Sequence, residues 1–411
     1  MGRAATTPSH QKLTGAHFTP PGLARFLAAR IVKHLPSRPA PLEIWDPSCG
    51  DGSLLAAIQE ALLARSAHFH GLDTEAHSIT SARLNLRPVN SQTASFAQAD
   101  FLDYYTQNLA PADLFSDERQ RASADVIIAN PPYVRTQVLG ASVARRLAAA
   151  FNLTGRVDLY HAFMVAMTSL LRPGGIIGVI ASNRFMFTQA GASIRELWLK
   201  NYKILEIFDL GDTKFFKAAV LPCIIIARKG ATGKGNQIPF TRIYESTFDP
   251  QAHVLGKDRD ALFECLGNGG VPKVTINKTT FKIATGILDH PSSISDTWSL
   301  RDPAEAQWVT SIKRTSHTLV GDVVKVKVGI KTTADNVFIR NDWDTLPEHL
   351  QPEKELLLPL TDRFRIERWL PKTHSACPRV LYPYDPTSSK RRPISLESFP
   401  KAAAYLQSHK R

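Results

Sequence analysis

Four short apolar runs in the first third of the chain each end in an acidic or amide side chain, and those ends fall 27, 27 and 30 residues apart. The runs are Glu43-Ile-Trp-Asp46, His68-Phe-His-Gly-Leu-Asp73, Ser95-Phe-Ala-Gln-Ala-Asp100 and Asp125-Val-Ile-Ile-Ala-Asn130. Each reads as a buried strand, and a repeat of about 30 residues is the length of one strand-helix-strand unit. The intervening residues carry helical patterns over 53–65 and 75–86, and a further helix over 21–35 precedes the first strand. Such a chain predicts a doubly wound, Rossmann-like α/β sheet.

The alternation continues with a helix over 159–171, a Pro173-Gly-Gly turn, a strand over 176–181, a helix over 193–200 and strands over 204–208 and 223–227. Seven strands are expected in all. Around Gly230-Ala-Thr-Gly-Lys-Gly-Asn236 the composition turns to glycine and polar residues, which predicts an exit from the sheet and a boundary near 240. Residues 1–240 then form one domain and 241–411 a second, mixed β-containing one, with Val323-Val-Lys-Val-Lys-Val328 and Asn336-Val-Phe-Ile339 as strands.

The 50 Lys and Arg outnumber the 37 Asp and Glu, a formal charge of +13. The excess is uneven: residues 1–130 sum to −1 (11 basic, 12 acidic), 131–230 to +8 (13 and 5) and 231–411 to +6 (26 and 20). A polyanion, nucleic acid first, is expected to meet the middle and last thirds. The four cysteines, Cys49, Cys223, Cys265 and Cys377, form no C-x-x-C pair, so neither a disulfide framework nor a zinc cluster is expected, and no metal site. A reducing cytoplasm fits that usage. No window carries the roughly 18 apolar residues of a membrane span, so no membrane association is expected.

In an open α/β sheet, ligands bind beyond the carboxyl ends of the strands, which is where the four polar ends gather. The first strand runs into Asp46-Pro-Ser-Cys-Gly-Asp-Gly-Ser53, whose glycines let the backbone approach a ligand and whose Ser53 can cap the next helix. The spacing is not that of a dinucleotide or phosphate loop, so a ligand without pyrophosphate is preferred. Asp73 can accept ribose hydroxyls, and Asp100 with Phe101 offers an acceptor and a ring to an adenine. Taken singly, each of these carboxylates could equally be a helix cap.

Asn130-Pro-Pro-Tyr133 follows the fourth strand. The prolines Pro131 and Pro132 stiffen the loop and remove two backbone donors, leaving the Asn130 side-chain oxygen and the Pro131 carbonyl as acceptors beside the Tyr133 ring. Two acceptors on a conjugated amine draw its lone pair back onto nitrogen and aim it at a methyl donor. The competing reading is a Pro-rich turn with a surface tyrosine.

Phe18-Thr-Pro20, Asp46-Pro-Ser-Cys-Gly-Asp-Gly52, Gly71-Leu-Asp73, Ala99-Asp-Phe-Leu102 and Asn130-Pro-Pro-Tyr133, in that order, resemble the motifs of the gamma-class, TaqI-like adenine-N6 DNA methyltransferases over about residues 15–230. The resemblance implies S-adenosylmethionine as donor. Phe18 and Thr19 would line its methionine end, Asp46 and Gly50 would lie by the amino acid, Asp73 by the ribose, and Asp100 and Phe101 by the adenine, with Pro47, Ser48 and Thr74 also binding the donor. It implies double-stranded DNA as substrate, with a base flipped against Tyr133 and a second aromatic, Phe216 or otherwise Phe215, and with Arg135 and Lys217 by the phosphates. Residues 241–411 would be a target-recognition domain. Since the family usually continues past a stretch like 403–409, the domain is expected to be incomplete or finished by another subunit, with a separate restriction endonuclease or specificity subunit as partner. RNA or protein-glutamine methylation and a non-catalytic DNA-specificity protein are the alternatives.

Overall fold

In the computed structural model the residues described are 19–37, 41–63, 65–108, 123–133, 141–151, 153, 159–211, 213, 221–230, 237–256, 260–267, 271–288, 296–325, 329, 330, 332, 334–361, 366, 367, 370, 371, 378–385 and 392–409. The expected strands are all present: β1 (Leu42–Asp46), β2 (Ala67–Asp73), β3 (Gln92–Gln98), β4 (Ala124–Ala129), β5 (Leu171–Ser182), β6 (Tyr202–Asp209) and β7 (Pro222–Lys229). Side by side they run β3-β2-β1-β4-β5-β7-β6. The first five are mutually parallel, and β7 lies antiparallel to both β5 and β6, so β6 points the same way as β5. The carboxyl ends of six strands therefore share one edge, and the order reverses between β1 and β4.

All six residues of β4 are buried, as a strand covered on both faces requires. Val126 and Ile128 meet the layer of α1 (Pro21–Lys33), α2 (Ser53–Leu62) and α3 (Ala76–Asn85), which supplies Leu27, Ile58 and Ile79. Ile127 and Ala129 face the opposite layer, where α4 (Phe101–Asn108), α5 (Ala141–Ala150), α6 (Leu159–Leu170) and α7 (Ala192–Asn201) add Phe101, Leu147, Met164 and Trp198.

Helix α1 opens with Pro21, whose missing N–H costs nothing at a first turn, and is fastened at both ends to distant residues. The Gly22 amide donates to Asp260 Oδ2 at 3.0 Å, an approach that a Cβ on Gly22, 2.3 Å from the Asp260 carboxyl carbon, would block. At the other end the Arg30 guanidinium donates to both oxygens of Glu206 on β6, each at 2.6 Å, and His34 joins the same carboxylate.

The sheet does not end at 230. β8 (Pro239–Ser246) pairs parallel with β6, and β9 (His253–Val254), β10 (Lys273–Ile276) and β11 (Thr279–Ile287) extend it in the order β6-β8-β11-β10-β9 to 11 strands. Helix α8 (Ala261–Gly267) adds Leu262 and Phe263 to the first layer, and α9 (Pro303–Thr315) ends a compact unit of residues 1–315. The expected boundary near 240 thus falls at the start of a strand. A glycine-rich polar stretch marks a surface connection equally well whether the chain leaves a sheet or returns to it.

Residues 316–411 form their own unit. Strands β12 (Ile339–Arg340), β13 (Leu357–Pro359), β14 (Ile366–Glu367), β15 (Leu370–Pro371) and β16 (Arg379–Leu381) make a three-stranded sheet, β12-β16-β13, and a β14-β15 pair. Helix α10 (Pro400–Ser408) buries Ala402 and Tyr405 on Trp343, Leu356 and Leu381, and the Tyr405 hydroxyl donates to the Val337 carbonyl at 2.8 Å. The strand expected at 323–328 is not formed where described: Val320–Val323 is a helical turn, and 326–328 lie outside the described residues. Asp335–Phe338 is likewise a helical turn, with only Ile339 in a strand. β-Branched residues without a neighbouring strand to pair with do not hold an extended conformation. Among the described residues no helix is long and apolar enough to cross a membrane.

Candidate active site

Asp46, at the end of β1, is fully buried. Its Oδ1 accepts the Ser48 N–H at 3.1 Å, while Oδ2 has no hydrogen-bond partner among the described residues, nor has the buried Ser48 hydroxyl. Burial pushes the Asp46 carboxyl up to about 8 against the pull of the Ser48 amide, and Asp73 and Asp51 push it further the same way. A buried acceptor and a buried hydroxyl that are both left open are costly unless a ligand supplies their partners.

Asp73, at the end of β2, takes the Gly50 N–H on Oδ2 and the Glu75 N–H on Oδ1, both at 2.9 Å. Each oxygen keeps a lone pair for a further donor such as a ribose hydroxyl. Gly50 has φ +53, and a Cβ there would meet nothing within 4 Å, so the loop arches over open space. Ser53 does not cap α2 as expected. The residue before the helix is Gly52 at φ +79, and the first helical amide, that of Ser53, is taken by Asp51 Oδ1 at 3.1 Å. Pro47 is buried beneath this loop and Thr74 is exposed beyond it.

Asp100 is exposed, and its Oδ1 accepts the Leu102 and Asp103 amides at 2.7 and 3.3 Å, so here the capping reading is realised. Phe101 offers no open ring face. It is 1% exposed, held between Tyr104 and Phe163 with centroids 6.4 and 5.5 Å away, because the second layer needs an apolar residue at the first position of α4.

At the end of β4, Asn130 Nδ2 donates to Thr19 Oγ1 at 3.1 Å, and the Tyr133 hydroxyl lies 2.9 Å from both Asn130 Oδ1 and the Ile180 carbonyl. Burial holds the Tyr133 phenol well above its ordinary value, with Cys223 and Tyr160 beside it. The motif thus bridges the segment before α1, the end of β4 and the end of β5. Pro131 is buried and Pro132 half-buried, which makes the loop a rigid bracket. Phe18, Arg135, Phe215, Phe216 and Lys217 lie outside the described residues.

Sequence reasoning missed Asn183 and Asp209 on the same edge. Asp209, 1% exposed, accepts from Asn183 Nδ2 at 2.8 Å, the Gly211 amide at 3.2 Å and the Tyr244 hydroxyl at 2.6 Å. Burial raises its pKa against these bonds. The Asn183 amide reaches the Leu221 carbonyl at 2.9 Å and the Leu210 amide reaches Pro222 at 3.0 Å, so the network ties both feet of the segment between 211 and 221. The signal was present: Ile204-Leu-Glu-Ile-Phe-Asp209 is one more apolar run ending in a carboxylate.

Comparison with known proteins places this geometry among relatives. The family described as Eco57I restriction-modification methylase matches residues 67–216. The type II methyltransferase M.BanIII of Aneurinibacillus aneurinilyticus is 38% identical over 97% of this chain and 70% of its own length. M.XhoI of Xanthomonas vasicola is 28% identical over 69% of this chain and 48% of its own length. Among solved structures, the type IIG restriction endonuclease BpuSI matches 95% of this chain and 45% of its own, at 18% identity and a TM-score of 0.46.

Proposed function

The chain belongs to the type II methyltransferases of restriction-modification systems, and on that premise we propose that it methylates the exocyclic N6 amine of adenine in double-stranded DNA, with the base flipped into the Asn-Pro-Pro-Tyr pocket. S-Adenosylmethionine, the donor used by this family, supplies an electrophilic methyl group on a sulfonium. The open Asp46 oxygen and Ser48 hydroxyl suit the donor's amino acid end, the space over Gly50 its backbone, and Asp73 its ribose.

The observation that carries the reading is the state of Asn130 Oδ1, which faces an O–H donor in a rigid loop at the sheet edge that also bears Asp46 and Asp73. An incoming amine is a donor of the same kind and can take that place. Asn130 Oδ1 and the Pro131 carbonyl then accept its two N–H bonds and localise the nitrogen lone pair. When bound, the donor would supply the methyl carbon to this nitrogen and keep the sulfur as a thioether, and the amine's surplus proton would leave to water. The displaced Tyr133 ring is free to stack on the base, replacing interactions lost on leaving the duplex. Residues 316–411, the second unit, would contribute target recognition, and a restriction endonuclease or specificity subunit would be the protein partner.

The test is methyl transfer from labelled donor to DNA, RNA and protein in parallel, with the modified product identified by mass spectrometry. N6-methyladenine in DNA is expected. Label in N4-methylcytosine, RNA or glutamine alone would replace this substrate assignment.

A further inference from the structure

We propose that the helical turn Arg184–Phe187 is a preformed contact for the DNA strand that carries the target base, with Arg184 on a phosphate and Phe187 against the base or sugar beside it. The inference rests on the DNA substrate proposed above and deepens it. Strand β5 carries the turn past the candidate site. Ala129, the last residue of β4, pairs with Val179, yet β5 continues to Ser182, so it overshoots its neighbour by about 10 Å. The Tyr133 hydroxyl meets this overhang at the Ile180 carbonyl, 2.9 Å away, and the turn stands beyond it on the same edge.

The turn is held more firmly than a surface connection needs. Phe185 and Met186 are buried: the Phe185 ring lies edge-on to Trp298 with centroids 5.6 Å apart, and the Met186 carbonyl accepts the Trp298 N–H at 2.8 Å. Arg195 on α7, itself fully buried, places Nη1 2.6 Å from the Phe185 carbonyl and 2.7 Å from that of Thr188. A guanidinium is withdrawn from water only where it gains strong bonds, and these two fix the turn and the residue that ends it. Gly191 lets the chain fold back closely, since a Cβ there would lie 2.1 Å from the Phe185 carbonyl oxygen.

With two side chains fastened inward, the other two face outward. Arg184 and Phe187 are both exposed, and among the described residues the Arg184 guanidinium has no carboxylate partner. An open cation beside an apolar ring suits a nucleic-acid strand, where phosphates alternate with sugars and bases. The segment 131–230, which contains the turn, sums to +8, the sign that attracts such a strand. Because the backbone of the turn is already fixed, binding has only the two outer side chains to order.

The test is fluorescence anisotropy, over a range of salt, of a labelled duplex containing the site that the wild type methylates, located by mapping modified bases. Arg184→Ala should raise Kd about 10-fold at low salt and reduce the slope of log affinity against log salt by about 1, with Arg184→Lys keeping the slope. Phe187→Ala should raise Kd about 10-fold with the slope unchanged, and Phe187→Trp should restore affinity. Donor affinity and melting temperature should stay at wild-type values in all four variants, since both side chains are exposed. A wild-type slope in Arg184→Ala, or wild-type affinity in Phe187→Ala, would overturn the contact and leave DNA as the substrate. A lowered melting temperature in Arg184→Ala would make the residue structural and overturn the contact equally. Methylation of RNA or protein with none in DNA would instead overturn the substrate reading, and the contact with it.

Discussion

Asp73 receives the backbone amide of Gly50 at 2.9 Å, so the carboxylate that ends one strand fixes the glycine loop that ends its neighbour. The two halves of the expected donor site are thereby one piece. Asp73→Ala should weaken S-adenosylmethionine binding by about 1–3 kcal/mol and lower thermal stability even without donor, since two amides lose their acceptor. Calorimetry and melting curves separate the two effects. Unchanged donor affinity with lowered stability would leave Asp73 a purely structural role.

Asp46 predicts a pH dependence. Its carboxyl is pushed up to about 8 in the folded chain, against about 3.9 for an unfolded aspartate. Between those values the folded state binds more protons than the unfolded one, so this residue's contribution is full below about pH 4 and is lost as the pH rises through about 8. The melting temperature of Asp46→Asn, which cannot titrate, should therefore gain on wild type between pH 5 and 8. A constant difference across that range would place the Asp46 pKa near its ordinary value.

Asn130→Ala is expected to abolish most methyl transfer and leave donor affinity nearly intact, because the amide, bonded to Thr19 and Tyr133, is proposed to face the incoming amine and not the donor. Equilibrium binding of the donor beside single-turnover rates would show it. Should the variant lose donor binding or its fold, the motif is a structural bracket and no more.

Tyr133 has to leave its bonds to Asn130 and Ile180 for its ring to meet a base. A DNA target with 2-aminopurine in place of the adenine should brighten on binding, and Tyr133→Ala should alter that signal by removing stacking worth about 1–3 kcal/mol. A target base that remains stacked while methylation proceeds would remove both the flipping step and this role.

Asp209 is buried against Asn183, Gly211 and Tyr244. Asn183→Ala leaves a buried carboxylate short of a donor and should cost about 1–3 kcal/mol in urea unfolding. The backbone bond from the Asn183 N–H to the Leu221 carbonyl is retained in this variant, so the loss reports the side-chain bond to Asp209 alone. A change within a few tenths of a kcal/mol would mean the Asn183 side chain contributes little to holding Asp209.

The strands were legible because buried parallel strands are nearly continuous apolar runs, and their polar ends mark one edge once the strands are parallel. Asp46, Asp73 and Asn130 stand on that edge where the spacing places them. Phe101 packs its ring into the core, and sequence does not distinguish such a ring from one turned to a ligand. Among the strands after 239, His253–Val254 escaped because two residues are too brief to show alternation. The bond between Thr19 and Asn130 spans 111 positions, and no local pattern encodes it.

The fastening of α1 also sets an order of events in time. Its two anchors, Glu206 and Asp260, lie 176 and 238 positions beyond their partners Arg30 and Gly22. A chain growing from the ribosome at about 5–20 residues per second makes its first helix tens of seconds before the last anchor emerges. Until then Thr19 has no fixed seat over Asn130, so a nascent or truncated chain lacking Asp260 should hold the sheet's first strands with this edge unfinished. Synthesis thus completes the edge late, after most of the sheet that carries it.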